Sequence, residues 1–287
     1  MKENSLIILM TDFGLVDPYV GIMKGIIAQL APHIRCIDLT HEIPPGDIQR
    51  AAIFLWQSRT YFPKNSIFLC VVDPGVGTSR RAIIVNADEQ WYVGPDNGIF
   101  SFIVSENSRS WAIQPERINS TPSFTFHGRD IFAPTAAFLA NGRDPDEFGY
   151  RIVPINFLSN PKLEFSPHEY ILGEVLYEDR FGNLITSLGI FLWVKPNILQ
   201  FNSWLPTEPK THMVIDVHHA RVSLPNKAEL PMVHTYGELD FGACGCLIGS
   251  SGLLEIVANQ SRASQRLGLK RGDMIILRIH DKEKPNG

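Results

Sequence analysis

Two aspartates, Asp12 and Asp73, each follow a short apolar run that is typical of a buried β-strand. Ligands of open α/β sheets bind at the carboxyl ends of the strands, which is where these carboxylates would lie. A carboxylate there can bind vicinal ribose hydroxyls through paired hydrogen bonds, or it can orient a base. Because most aspartates after strands form Asx turns or helix caps, either residue alone favours that structural role. The pair therefore predicts where a site could lie and leaves its chemistry open.

The segment that starts at Asp73 reads Asp-Pro-Gly-Val-Gly-Thr-Ser-Arg-Arg and ends at Arg81. Its glycines allow the backbone to approach a ligand closely, and Arg80 returns a positive charge to the loop. The segment lacks the Gly-Lys-Ser/Thr ending of a Walker loop and the Gly-x-Gly-x-x-Gly pattern. It therefore predicts neither nucleoside triphosphate nor NAD binding. A glycine-rich turn with solvated arginines is the alternative interpretation.

Polar residues in three other loops could also contribute to a site. His127 lies directly before a predicted helix, where a histidine can titrate near neutrality and act as a general base. The alternative is a loop histidine that bonds to the backbone. Asp179–Asn183 follows a strand, and Gly249–Gly252 presents hydroxyl and N–H groups that could hold a carboxylate or a purine edge. Such Ser-Gly turns are also common without a ligand.

The cysteines and histidines do not predict a metal site. Cys244 and Cys246 are the only close pair among four cysteines, and no further soft ligands lie near them in sequence. Four cysteines are also too few for a secreted disulfide scaffold. His218 and His219 are expected on opposite faces of a strand, so they would not share a metal with His212 or His234.

The composition excludes several classes of protein. The chain has 287 residues, of which 44% are apolar and 20% charged, so it is neither disordered nor fibrous and suggests about two domains. Its 26 basic and 30 acidic residues leave a net charge of −4, which argues against a dedicated nucleic-acid-binding protein. The apolar run near the N-terminus is too short for a signal sequence, and no run of about 18 apolar residues could span a membrane. We therefore expect a cytoplasmic protein.

The first half of the chain alternates between strand and helix patterns that would position these loops. Strands are predicted over Leu6–Met10, Arg35–Leu39, Ser66–Val72, Ala82–Val85 and Trp91–Val93. Helices are predicted after Pro18, after the N-cap Asp47, and over Asp130–Leu139. Nearly continuous apolar strands in strand–helix–strand order favour an α/β domain with a largely parallel sheet over residues 1–155.

The pattern changes in a polar, proline-bearing stretch over residues 150–168, which predicts a domain boundary. Short strands are predicted beyond it, over Tyr170–Leu176, Leu184–Ser187, Met213–Val217, Ala220–Leu224, Met232–Tyr236, Cys246–Ile248, Leu253–Ala258 and Met274–Ile279. One short helix is predicted near Ser261–Leu267. Many short strands separated by Gly, Pro and Asn turns favour a small β-barrel over residues 168–282.

Six motifs, taken in order, resemble those of the S-adenosyl-L-methionine (SAM) hydroxide adenosyltransferase family, the hydrolytic relatives of the fluorinase and chlorinase. They are Thr11–Gly14, Val71–Gly77, Gly94–Gly98, Phe126–Asp130, Asp179–Asn183 and Ser250–Ile256. Each motif is weak alone, but the ordered set covers nearly the whole chain and is specific. The hydroxide-using members carry an Asp-Arg-His set that Asp73, Arg80 and His127 match, whereas the halogenases lack it. The resemblance therefore favours the hydrolytic branch.

The resemblance implies hydrolysis of SAM to adenosine and L-methionine, by attack of water or hydroxide on C5′, without a cofactor or metal. It also implies a homotrimer in which SAM lies between the N-terminal domain of one subunit and the C-terminal domain of the next. Asp73, Arg80 and His127 would be catalytic, and which of them is the base stays open. The implied substrate-binding residues are Asp12 for the ribose hydroxyls, Asn183 with Ala258, Asn259 and Gln260 for adenine, Asp17, Tyr19, Asp179, Ser250 and Ser251 for the methionine group, and also Phe126 and Glu255.

One departure from the family lies at Gly46, near which halogenating relatives carry an aromatic residue that packs on the substrate. Phe126 or Trp56 would replace that wall here. Three rival functions remain at this stage: a halogenase of the same fold, a non-catalytic adenosine-binding protein, and a nucleoside hydrolase. The last would need a cluster of calcium-binding aspartates, which Asp12 and Asp17 alone do not supply.

Overall fold

A computed structural model describes residues 6–119, 121–167, 169–205 and 212–279. The chain divides into two compact units, residues 1–158 and 159–287, and the division falls inside the polar stretch over 150–168. Residue 168 and residues 280–282, at the ends of the predicted second domain, lie outside the described residues.

The first unit alternates strands and helices. Its strands are β1 (Leu6–Thr11), β2 (Arg35–Thr40), β3 (Ile67–Val71), β4 (Ala82–Ala87), β5 (Gln90–Pro95), β6 (Arg109–Ile113) and β7 (Gly149–Ile152). Its helices are α1 (Tyr19–Leu30), α2 (Ile48–Ser58), α3 (Pro115–Ile118) and α4 (Ala133–Ala140), with 3₁₀ turns over Arg59–Tyr61 and Pro145–Glu147 and a π-helical turn over Gly128–Phe132.

The seven strands form one mixed sheet in the order β2-β1-β3-β5-β4-β6-β7. The β1–β2, β1–β3 and β3–β5 pairs are parallel, as the sequence predicts. The β4–β5, β4–β6 and β6–β7 pairs are antiparallel. Only half of the strand pairs in this sheet are therefore parallel, whereas the sequence predicts a largely parallel sheet. The physical reason is the two-residue connection Asp88–Glu89, both at positive φ, because so short a loop can only join antiparallel neighbours.

Apolar layers on both faces of this sheet hold its central strands rigid. On one face Ile7 and Leu9 of β1 pack with Met23 of α1 and Ala136 of α4. On the other face the alternate side chains, such as Ile8, pack in a second cluster that includes residues of α2. Because β1 and β3 are buried on both sides, the loops that follow their carboxyl ends start from fixed positions.

Three helices confirm the sequence signals that predict them. Helix α1 begins directly after Pro18, and Asp47 caps α2 by accepting a hydrogen bond from the Arg50 backbone at 3.1 Å. The helix predicted over Asp130–Leu139 forms as the π-helical turn Gly128–Phe132 followed by α4.

The second unit is a single antiparallel system. Its strands are β8 (Leu163–Ser166), β9 (Tyr170–Glu178), β10 (Leu184–Lys195), β11 (Ile198–Asn202), β12 (His212–Asp216), β13 (Ala220–Ser223), β14 (Glu229–Leu230), β15 (Cys244–Ile248), β16 (Leu253–Ala258) and β17 (Met274–Ile279), with helix α5 (Ala263–Leu267) and 3₁₀ turns over Val217–His219 and Tyr236–Glu238. The strand order is β12-β11-β10-β9-β17-β13-β14, with β16 on β10, β15 on β16 and β8 on β9. Closure of this sheet into a barrel stays a prediction.

Two local predictions in this unit are wrong. Met232–Tyr236 is not a strand, because Thr235 and Glu238 form a capping box that starts a 3₁₀ turn at Tyr236. His218 and His219 lie in a 3₁₀ turn rather than on a strand. The described residues contain no cluster of three or more His, Cys, Asp or Glu side chains that could hold a metal. Likewise, none of the helices in the described ranges is long and apolar enough to cross a membrane.

Candidate active site

Asp73, Arg80 and His127 form one hydrogen-bonded network, which we call the charged triad. Arg80 donates from Nε to Asp73 Oδ1 at 2.9 Å and from Nη2 to Asp73 Oδ2 at 2.5 Å. The same Nη2 donates to His127 Nδ1 at 2.6 Å. Asp73 lies just after β3, Arg80 just before β4, and His127 at the start of the π-helical turn. Asp73 and Arg80 come from one loop and His127 from another, and the fold brings the three side chains together.

The triad determines the protonation state of His127. A guanidinium group only donates hydrogen bonds, so Nδ1 of His127 must accept and the ring proton must reside on Nε2. Burial and the charge of Arg80 both lower the pKa of His127 below its ordinary value. Near neutral pH the ring is therefore neutral, and Nε2–H is the group that it can offer to a ligand.

The triad is largely withdrawn from water and closely supported. The side chains of Asp73 and Arg80 are only 5% and 10% exposed, and the guanidinium lies over the Phe132 ring at 5.3 Å. Gly77, at φ +76°, approaches the Phe124 carbonyl so closely that a Cβ at this position would collide with it. A glycine is thus required where the triad's first loop meets the loop that carries His127.

Asp12 lies beside the triad at the end of β1. Its Oδ2 accepts a hydrogen bond from the Gly46 backbone at 2.8 Å. Burial raises the pKa of Asp12, the Gly46 hydrogen bond opposes the rise, and the nearby charge of Asp73 adds to it. A cleft of about 530 Å³ is lined by Asp12, Phe13, Tyr19, Pro45, Gly46, Asp73 and Pro74. This carboxylate is thus held at the wall of a cleft that also contains part of the triad.

Aromatic rings flank the cleft. Tyr19 contacts Phe126 edge to face at 5.2 Å between ring centroids, and Phe13 lies 5.7 Å from Tyr19. Of the two side chains that could replace the aromatic wall missing at Gly46, Phe126 is therefore on the Tyr19 side of this cleft. Trp56 instead packs against the apolar cluster on the other face of the sheet. Asp17 is exposed and does not line the cleft.

In the second unit, Asp179 and Asn183 form a self-bonded turn after β9. Asp179 Oδ1 accepts from the backbone N–H groups of Phe181 and Asn183, and its Oδ2 accepts from Asn183 Nδ2 at 2.9 Å. Asn183 Nδ2 also donates to the Tyr236 hydroxyl at 3.2 Å. The Asn183 side chain, in a residue only 4% exposed, is thereby fixed in orientation.

Asn183 and Tyr236 border a second pocket of about 520 Å³, lined by Phe181, Asn183, Tyr236, Ala258, Gln260, Ser261 and Arg262. It contains three of the four residues predicted to recognise adenine. The fourth, Asn259, donates instead to the Leu239 carbonyl at 2.7 Å. Sequence reasoning missed Tyr236, Ser261 and Arg262. Gly182 approaches Arg262 so closely that any Cβ would collide with that side chain, but this contact becomes visible only in the structure.

The predicted serine turn lies next to the half-buried Glu255. Gly252 N–H donates to the Gly249 carbonyl at 2.9 Å and closes the turn that carries Ser250 and Ser251. The Glu255 carboxylate packs on the Gly249 backbone, where a side chain at 249 would overlap it. Burial, followed by the nearby Asp179, raises the pKa of Glu255 to about 7. We refer to Asp179, Phe181, Asn183, Tyr236 and Glu255 as the C-terminal cluster.

Both units of the chain are similar to proteins of one known family. The family models described as the SAM hydroxide adenosyltransferase N-terminal and C-terminal domains match residues 7–149 and 173–276. A Thermus thermophilus protein named (R)-S-adenosyl-L-methionine hydrolase is 38% identical over 274 residues, covering 92% of this chain and 95% of its own. A Nocardia brasiliensis protein named fluorinase is 23% identical, covering 96% and 98%.

A solved structure of a conserved protein from Thermotoga maritima has the same fold. It superposes with a TM-score of 0.78 at 34% sequence identity, covering 94% of this chain and 99% of its own. The two family models together match well over half of the sequence. The N-terminal model covers the triad, and the C-terminal model covers the C-terminal cluster. The chain belongs to the SAM hydroxide adenosyltransferase family.

Proposed function

We propose that the protein hydrolyses SAM to adenosine and L-methionine by in-line attack of hydroxide on C5′. The observation that carries the proposal is the withdrawn Asp73–Arg80–His127 triad, which offers two hydrogen-bond donors of fixed orientation, one of them cationic. The name of the Thermus relative, SAM hydrolase, supports the same reaction at 38% identity. The fluorinase relative, at 23%, is more distant.

The chemistry needs little from the protein at the leaving group. SAM is a sulfonium cation, so cleavage of the C5′–S bond returns the electron pair to sulfur and releases a neutral thioether. The new bond joins the hydroxide oxygen to C5′. Opposite charges are neutralised during this attack, so a site that excludes bulk water favours it.

The triad supports capture of hydroxide better than abstraction of a proton by His127. Nδ1 of His127 already accepts from Arg80, so a proton added there would face the guanidinium. Asp73 is likewise engaged through both carboxylate oxygens. In the proposed mechanism Nε2–H of His127 and the charge of Arg80 hold the hydroxide, while Asp73 holds Arg80. The scheme uses no metal or cofactor, so protein treated with EDTA should retain its activity.

Substrate recognition is divided between the two sets of residues. Asp12 would bind the ribose hydroxyls, and Asn183 with Ala258 and Gln260 would bind adenine. Asp179 and Glu255, with the serine turn, would surround the methionine ammonium and carboxylate groups. In the proposed homotrimer the triad of one subunit and the C-terminal cluster of the next act on the same SAM molecule.

A mixing experiment tests the shared site. Assayed at SAM concentrations well below KM, Asp73→Ala protein should show little activity because its kcat is low, and Asn183→Ala protein because its KM is raised. If each site takes its triad from one subunit and its cluster from another, co-refolded mixtures of the two should regain activity. Light scattering of the unmixed protein gives the oligomeric state. A trimer that shows no complementation would contradict the shared site, but it would leave the proposed hydrolysis of SAM unaffected.

The reaction itself is tested by incubating purified protein with SAM and separating the products by chromatography. Adenosine and methionine in equal amounts are expected. The same incubation with chloride or fluoride would reveal a halogenase through 5′-halo-5′-deoxyadenosine. Tight adenosine binding without SAM consumption would identify a binding protein instead.

A further inference from the structure

The motif Gly94–Gly98 lies outside the cleft and has no role in the scheme above. Its two polar residues nevertheless bond to the chain on either side of the triad. Asp96 is 2% exposed and accepts from Arg81 Nε at 2.7 Å. Arg81 is the residue that follows Arg80.

The second polar residue, Asn97, acts on the other side of the pair. Its Nδ2 donates to the carbonyl of Val72 at 2.9 Å, and Val72 directly precedes Asp73. The motif thus contacts the chain immediately before the triad's carboxylate and immediately after its guanidinium. The Asp96 N–H also donates to the Arg81 carbonyl at 2.9 Å, which fixes the backbone as well as the side chain.

The same motif is anchored in turn by the segment 154–158. Asn156 donates from its backbone to Asp96 Oδ1 at 2.8 Å and from Nδ2 to the Asp96 carbonyl at 2.7 Å. Arg81 Nη2 donates to the Pro154 carbonyl at 3.0 Å. Gly94 approaches the Cys70 carbonyl so closely that a Cβ would collide with it, which holds the motif against β3.

We propose that Asp96 and Asn97 are positioning residues that set the distance between Asp73 and Arg80 through their chain neighbours Val72 and Arg81. This inference rests on the proposed function for its kinetic consequence. The reason to expect a large effect is geometric, because Arg80 must bond both oxygens of Asp73 and also Nδ1 of His127. A displacement of about 1 Å at a catalytic group can lower turnover by about 10²-fold.

The test is the Asp96→Asn protein, which keeps the side-chain shape and removes the charge that holds Arg81. We expect kcat to fall by about 10- to 100-fold with little change in KM for SAM, because Asp96 and Asn97 bond to none of the residues assigned to substrate binding. Circular dichroism and thermal melting establish that the assayed protein is folded. An unchanged kcat in folded Asp96→Asn protein, or a rise in KM alone, would overturn the proposal.

Two further variants keep the test decisive. Arg81→Lys, at a residue whose side chain is 38% exposed, disturbs the fold less and should lower kcat by a smaller factor. If Asp96→Asn does not fold, the kcat of Arg81→Lys decides whether the positioning role holds. The matched control is Gln90→Ala, at the opposite end of β5, where Gln90 is 6% exposed and bonds to the Arg59 carbonyl at 3.0 Å. That variant should lose stability and keep its kcat.

A spectroscopic readout separates this inference from the proposed function. Long-range ¹H–¹⁵N spectra of the imidazole of His127 should show the Nε2–H tautomer in the wild-type protein, and a mixture of tautomers in Asp96→Asn once Arg80 is displaced. If the wild-type protein does not hydrolyse SAM but the tautomer still changes, the proposed function is wrong and the positioning role stands. If the tautomer is the same in both proteins, the positioning role is wrong.

Discussion

The charged triad and the C-terminal cluster differ in how much of their surface is exposed to solvent. Asp73 and Arg80 are nearly buried, and Arg80 bonds both oxygens of Asp73. In the C-terminal cluster, Phe181 is 75% and Tyr236 42% exposed, so these rings present apolar surface to solvent. In the proposed mechanism the triad is therefore organised before substrate arrives, whereas the exposed rings of the cluster would gain contacts only when a ligand covers them.

Under the proposed function, the two sets of residues would contribute to different steps. Preorganised charges stabilise a transition state because they need not reorient during the reaction. Exposed aromatic rings contribute binding energy when a flat ring of the ligand packs on them. This contribution is the same in the ground state and in the transition state, so it lowers KM without raising kcat. Substitutions in the triad should therefore change kcat, and substitutions in the cluster should change KM.

The largest effect is expected for Arg80→Lys. Lysine keeps the positive charge but lacks the planar fork, so it cannot bond both Asp73 oxygens and His127 together. We expect kcat to fall by about 10²–10³-fold, the loss typical of removing a preorganised donor, while SAM still binds. Adenosine release gives kcat, and calorimetry gives the affinity. Arg109→Lys, at an arginine that bonds Asn86 on the exposed sheet surface, is the matched control.

Two outcomes for Arg80→Lys would contradict the catalytic role of the triad. Adenosine release at the wild-type rate would mean that the triad is not catalytic. Loss of SAM binding with normal turnover of whatever binds would mean that Arg80 belongs to recognition and not to chemistry.

The sequence allowed much of the triad to be predicted, because each of its residues follows or precedes a strongly patterned element. Asp73 follows the buried strand β3, and Arg80 stands seven residues later in the same loop. His127 precedes a helix whose apolar run is readable, although the π-helical turn at its start is not. Local pattern is enough here because the elements themselves fix where the loops begin.

The C-terminal pocket could only be predicted in part, because its walls come from distant segments. Tyr236 reaches Asn183 across 53 residues, and Arg262 pairs with Glu178 across 84. Such pairs depend on the strand order of an antiparallel sheet, which short strands with weak patterns do not determine. The β4–β5 hairpin is not predicted for a different, local reason. Its turn Asp88–Glu89 carries no glycine that would mark a hairpin in the sequence.

A smaller effect, on binding rather than turnover, is expected for Phe181→Ala. Stacking of a base on an aromatic ring contributes about 1–3 kcal/mol, so KM for SAM should rise by about 5- to 150-fold with kcat nearly unchanged. Steady-state kinetics measures both constants. Phe241→Ala is the control, because Phe241 is 79% exposed and does not line the pocket. A fall in kcat with KM unchanged would remove the distinction between the triad and the cluster.

The smallest effect is expected on the affinity for SAM when Glu255 changes its charge with pH. With a pKa of about 7, raised by burial and by Asp179, Glu255 is neutral at lower pH and charged above it. A charged Glu255 attracts the ammonium group of SAM, so affinity should increase severalfold between about pH 6 and pH 8, as a partly exposed ion pair of about 1 kcal/mol allows. Calorimetry at both pH values measures this change.

Two controls isolate the carboxylate from other titrating groups. Glu255→Gln protein should bind SAM with nearly equal affinity at both pH values, since its amide does not ionise in this range. Adenosine, which lacks the ammonium group, should bind the wild-type protein without this pH dependence. If adenosine followed the same pH dependence as SAM, the titration would belong to nucleoside recognition. The C-terminal cluster would then not be the site of the methionine group.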